Sequence, residues 1–266
     1  MPDRSLDQTD PLEDFTRRAI TLGGKTRLVY IAGSGPAVVV MTEMPGISPH
    51  VARFARWVRD AGFTVYMPHM FGNDGAVPTV LSAVTTIARA CISREFRAFS
   101  ANASSPITQW LRALAALAHQ ECGGRGVGAI GMCFTGNFAL SMMLEPAVLA
   151  PVMAQPSLPL NKEGGMAIDP GELAAIKARL DAEDLTVRAY RFAGDSFCKA
   201  ERFAAFAQAL GDRFEPRVLP DAAANPNTQM KNPHSVVTLH LIDEVGQPTV
   251  QARDEILEFF RMRLNG

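Results

Sequence analysis

The chain has 266 residues, 47% of them hydrophobic and 20% charged, with 26 Lys and Arg against 27 Asp and Glu. This is the composition of one globular domain with a sizeable core, and it lacks the basic excess that neutralises phosphates, which argues against nucleic acid as a partner. The polar, acidic start MPDRSLDQTDPLEDF has no apolar leader core, and no stretch approaches the roughly 18 apolar residues of a membrane span; both points predict a cytoplasmic protein without membrane contact.

Apolar runs and breakers, taken in chain order, read as a single domain over 1–266 that begins with an N-terminal extension, 1–23. Strands follow at 28–32 and 37–42, then a helix at 50–61, a strand at 64–68 and a helix at 107–120. The alternation continues with strand 127–132, helix 134–144, strand 148–154, helix 171–180, strand 187–193, helix 197–210, strand 215–219 and helix 252–264. Strands alternating with helices imply a mostly parallel sheet covered on both faces. The short link Gly33-Ser34-Gly35-Pro36 suits an antiparallel hairpin between the first two strands. An antiparallel start followed by βα units fits the α/β-hydrolase fold. Two long connections, 155–170 and 220–233, are rich in Pro, Gly and Asn, and long loops of this kind often carry function.

The strand at 127–132 runs into Cys133-Phe134-Thr135-Gly136, where a tight turn carries a cysteine and then opens a helix. This is how a nucleophile elbow reads: the nucleophile sits on a strained turn that small neighbours permit. The usual pattern has glycine two residues after the nucleophile, whereas here Thr135 stands there and Gly136 follows. A cysteine after an apolar strand also suits a small buried hydrophobe, so the reading depends on its partners. The overlapping Gly126-Val127-Gly128-Ala129-Ile130-Gly131 matches GxGxxG, but its glycines follow a helix and lie within the strand, which argues against a dinucleotide site.

A thiol attacks as thiolate, so Cys133 needs a base, and the base needs an orienting carboxylate. In α/β-hydrolases they follow in the order nucleophile, acid, histidine. Asp195, in Phe192-Ala193-Gly194-Asp195-Ser196, comes just beyond a strand, although an Asp there also suits a helix N-cap. His234, in Asn232-Pro233-His234-Ser235, ends the long loop; His240 falls in an alternating strand-like context, and His50, His69 and His119 precede the nucleophile. Asp181, Asp184, Asp212 and Asp221 read as solvated charge. Cys91, Cys122, Cys133 and Cys198 show neither CxxC spacing nor the density of a disulfide scaffold, so reduced thiols, no metal site and no cofactor are expected.

With Gly131-Met132-Cys133-Phe134-Thr135-Gly136, Gly194-Asp195, Pro233-His234-Ser235 and Thr42-Glu43-Met44-Pro45-Gly46 in place, the chain resembles the dienelactone hydrolase family from about Lys25 to Leu264. The resemblance implies a small cytoplasmic α/β-hydrolase with a Cys133–Asp195–His234 triad, acting on a small-molecule ester or lactone as a monomer or small homo-oligomer. It further implies that Glu43 contacts the nucleophilic thiol and that the N–H groups of Met44 and Phe134 form an oxyanion hole, each donor typically worth about 3 kcal/mol. A charge near the turn at 44–50 is the plainer account of Glu43. Members acting on dienelactone hold its carboxylate with two arginines. Arg94 matches the first, with Arg97 as a close alternative, and the second position, four after His234, holds Thr238. A threonine cannot make the bidentate contact an arginine makes. Two other readings therefore stay open beside a lactone or ester hydrolase: a carboxylesterase or thioesterase on another small acyl substrate, and a redox or binding protein of hydrolase fold without turnover.

Overall fold

The structure, a computed structural model, describes residues 5–265. Its centre is an eight-stranded sheet of β1 (Thr16–Leu22), β2 (Lys25–Ala32), β3 (Ala37–Met41), β4 (Thr64–Pro68), β5 (Val127–Met132), β6 (Val148–Ala154), β7 (Val187–Phe192) and β8 (Phe214–Leu219), in the order β1-β2-β4-β3-β5-β6-β7-β8. β2 pairs antiparallel with both β1 and β4, and every pair from β4 to β8 is parallel. β1 and β8 are the sheet edges. This is the α/β-hydrolase architecture.

The helices are α1 (Pro49–Asp60), α2 (Val80–Ile92), α3 (Ile107–Cys122), α4 (Gly136–Ser141), α5 (Pro170–Ala182), α6 (Ala200–Leu210) and α7 (Pro248–Leu264). Strand residues alternate between the two layers they form. Val39, Met41 and Ala129 pack with Leu111, Leu114, Ile176 and Phe206 of α3, α5 and α6. Val38, Val40 and Ile130 pack with Phe54, Val58, Ile256 and Phe260 of α1 and α7. The central strands are buried on both faces, hence their unbroken Val, Ile and Ala runs. Among the described residues no helix is long and apolar enough to cross a membrane.

Three expectations from sequence need correction. The link 33–36 does not close a hairpin: β2 and β3 are separated by β4, and the antiparallel hairpin joins β1 to β2 through Gly23 and Gly24. Gly33 has φ +107°, and a Cβ there would sit 2.2 Å from the Phe63 carbonyl, so the link is glycine-rich because it crosses closely over the entry to β4. Residues 16–22, assigned to an extension, are a strand of the sheet, and Asp10, Leu12 and Phe15 ahead of it are buried. The sequence hides β1 because an edge strand with only Ile20 buried lacks an apolar run. Finally, α2 occupies a stretch with no predicted element; a capping box between Thr79 and Ser82 starts it despite its β-branched residues.

Candidate active site

The C-terminal ends of β3, β5, β7 and β8 carry the loops on which the sequence candidates stand. After β5 the backbone turns sharply at Cys133, whose φ of +53° lies in the left-handed region that costs a non-glycine residue. A Cβ on Gly131 would lie 2.1 Å from the Thr135 carbonyl, and one on Gly136 would lie 2.5 Å from the Pro156 Cα, so both glycines are demanded by close approach. Thr135 is fully buried. Its hydroxyl accepts from the Met132 N–H at 2.9 Å and reaches the Thr42 carbonyl at 3.0 Å, tying the turn to the end of β3. The threonine that breaks the usual pattern is therefore a brace for it. Cys133 itself is part-exposed, and its carbonyl accepts from the Ser157 N–H at 2.9 Å.

Asp195 and His234 meet. His234 Nδ1 lies 2.7 Å from Asp195 Oδ2, and each residue is only 3% exposed. The other carboxylate oxygen accepts from the Phe197 and Cys198 N–H groups at 2.9 and 3.0 Å, so the carboxylate is oriented from both sides. The N-cap of α6 is Lys199, leaving Asp195 free of that duty. His234 Nε2 is buried and makes no other hydrogen bond among the described residues, which leaves this edge of the ring to Cys133. Burial pulls the imidazole pKa down, but the interactions with Cys133 and Asp195, by charge and by hydrogen bond, outweigh it and hold the pKa well above the ordinary value. The ring therefore favours its protonated form more than an ordinary histidine does.

Several supports of this loop are invisible in sequence. His240 Nδ1 accepts from the N–H groups of His234 and Ser235 at 3.3 and 3.1 Å, so its proton sits on Nε2, which donates to the Met230 carbonyl at 2.8 Å. Burial lowers its pKa, which keeps this clamp neutral. The Phe197 ring stands edge-on to His234 at 5.2 Å, and Asn232 Nδ2 donates to Ser196 Oγ at 2.6 Å, linking the histidine loop to the acid loop. Asp221, read as solvated, accepts from the Gly194 N–H at 2.7 Å and steadies the turn before Asp195.

Glu43 is buried, and burial raises its pKa. Its carboxylate accepts from Ser235 Oγ at 2.7 Å, from Gln155 Nε2 at 3.3 Å and from Thr238 Oγ1. The contact with the thiol implied by resemblance is not among its hydrogen bonds. Thr238 is fully buried and holds Glu43, so this position faces inward. The Met44 N–H makes no hydrogen bond among the described residues, and the Phe134 N–H opens a helical turn, where no intrahelical acceptor exists. Neither N–H is therefore committed to a partner among the described residues.

The dienelactone hydrolase family model matches residues 26–164, more than half of the chain. The chain belongs to the dienelactone hydrolase family. Membership makes it a hydrolase acting on ester bonds. No curated protein matches it by sequence. Solved structures resemble it in fold at low identity. A dienelactone hydrolase-like promiscuous phosphotriesterase from metagenomic libraries aligns with a TM-score of 0.64 and 19% identity over 94% of this chain and 99% of its own. A Klebsiella pneumoniae protein assigned as a dienelactone hydrolase gives 0.62 and 15% over 92% and 98%. A cold-adapted esterase from an Arctic intertidal metagenomic library gives 0.56 and 13% over 98% and 100%.

In this dienelactone hydrolase family member the structure does not bring Arg94 or Arg97 to the site. Both are exposed and line neither cavity beside it. The segment between them points inward instead: Glu95 pairs with Arg27 and Lys25, and the Phe96 ring packs against Phe71, Phe134 and Phe138. One cavity, of about 310 Å³, lies by Pro45, Phe71, Arg89 and Phe96. A larger one, of about 560 Å³, opens beside Glu43, Met44 and Ser235. Away from the site, Asp10, Glu13 and Asp14 cluster closely enough to share an ion, but Asp10 and Asp14 are bound by Arg56 and Arg59. All four cysteines are free thiols, and burial pushes the pKa of Cys198 far up, so it does not compete as a thiolate.

Proposed function

We propose that the chain hydrolyses a carboxylic ester or lactone through a thioester on Cys133. The observation that carries this is the buried His234–Asp195 pair at 2.7 Å beside a cysteine on a strained, glycine-flanked turn. The Cys133 thiolate attacks the carbonyl carbon, forming a C–S bond and an oxyanion that accepts from the Met44 and Phe134 N–H groups. Collapse breaks the ester C–O bond as His234 Nε2 passes its proton to the departing alkoxide. The neutral imidazole then takes a proton from water, which attacks the thioester, and collapse returns the thiolate and the imidazolium. Asp195 accepts from Nδ1 throughout and keeps the ring oriented. Dienelactone itself is a poor match, because Thr238 stands where the second substrate arginine belongs and is committed to Glu43.

Cys133→Ala is expected to lower ester turnover by about 10³-fold or more and His234→Ala by about 10²–10⁴-fold. Rapid quenching of the wild type with an aryl ester should add the acyl group to the peptide containing Cys133. Undiminished turnover in Cys133→Ala would overturn the thioester route.

A further inference from the structure

The larger cavity bears on which ester is taken. It starts at Met44, whose N–H is the proposed oxyanion donor, and at Ser235, next to His234. α2 contributes Val84 and Ile87 to its lining, and Met230, Leu239 and the uncharged Asn225 and Thr228 also line it. No lysine or arginine lines it. Its titratable groups are Asp7, the buried Glu43 and His50, and burial lowers the His50 pKa to about 4, so His50 is neutral under ordinary conditions. A carboxylate entering here would lose water, meet no cation and lie near two acids, a combination that disfavours it. An apolar chain would instead cover Val84 and Ile87, which are 59% and 38% exposed where they line the cavity. The volume falls in the range of about 300–1,000 Å³ typical of small-molecule sites.

We propose that this cavity receives the uncharged, apolar acyl chain of a neutral ester, and that its α2 wall sets selection against anionic substrates. The inference rests on the ester-hydrolase reading above. It departs from that reading in assigning the substrate's charge and the residues that read it.

The test compares kcat/KM for p-nitrophenyl acetate, hexanoate and hemiglutarate in the wild type, Ile87→Lys, Val84→Lys and the conservative Ile87→Leu. The wild type should favour hexanoate over hemiglutarate at least tenfold; either lysine should cut that ratio at least tenfold, and Ile87→Leu should keep it. In parallel, calorimetry of p-nitrophenyl hexanoate with Cys133→Ala, alone and combined with Ile87→Lys, reads occupancy without chemistry. Binding that the lysine weakens tenfold supports the cavity even where the wild type turns nothing over, in which case the reading of the reaction fails alone. Preference for hemiglutarate in the wild type, or a ratio and a binding constant untouched by both lysines, overturns the proposal.

Discussion

Thr238 illustrates how a single side chain changes meaning once its partner is known. In sequence it is a missing arginine. In the fold it is a fully buried donor to a carboxylate 195 positions away, and no local pattern could have linked the two. His240 is a similar case: its partners are backbone groups of the loop that carries His234, and backbone groups leave no mark in a sequence. Cys133, Asp195 and His234 were legible because their order and their places after strands follow from the fold, whereas the arginines were not, since Arg94 and Arg97 flank residues whose inward packing is set by distant Phe71 and Arg27. Thr238→Val removes a hydrogen bond to a buried acid and is expected to cost about 1–3 kcal/mol near pH 8. Because the folded-state pKa of Glu43 is raised, ionisation above the unfolded value of 4.5 works against stability, and the cost should shrink toward pH 4. Urea unfolding of both proteins at the two pH values checks this; an equal cost at both would show that Glu43 does not ionise in the folded state.

At the scale of elements, the turn between β5 and α4 carries a tight steric requirement. Gly136→Ala would drive a methyl to 2.5 Å from the backbone of Pro156, which cannot rotate away as a side-chain tip would. The chain must separate α4 from the loop after β6, at a cost of roughly 1–3 kcal/mol by analogy with overpacked cores. Since that loop also donates the Ser157 N–H to the Cys133 carbonyl, Cys133 should move with it. Thermal unfolding should show the loss of stability, and the same variant should lose kcat more than it raises KM; unchanged kcat would separate the turn's packing from its chemistry. Elements with clear apolar periodicity were legible to within a few residues. α2 was not, because Val84, Thr85, Thr86 and Ile87 read equally well as strand or loop, and its start signal is the brief Thr79–Ser82 box. The order of strands was obscured at β2 and β3, where adjacency in the chain does not become adjacency in the sheet.

For the whole molecule, acid response should be governed by groups held neutral or charged against their ordinary tendency. Burial, then the charges of Arg53 and His240, lower the His50 pKa to about 4 from 6.5. A histidine with a depressed folded-state pKa gives stability that is present above the unfolded value and lost as pH falls from 6.5 toward 4, because the unfolded chain takes the proton first. His234 has the opposite sign: its raised pKa contributes fully below 6.5 and fades as pH rises through the folded value. Unfolding midpoints of His50→Gln measured between pH 7 and 4 should fall less steeply than those of the wild type, and parallel slopes would remove His50 from the account. The sheet has a further property that follows from its two edges. An incoming strand at β1 would lie against Arg17 and Arg18, and one at β8 would meet Pro216, which has no N–H to offer, between the charges of Glu215 and Arg217. Fibrillar growth by strand addition is therefore discouraged at both ends by a handful of residues.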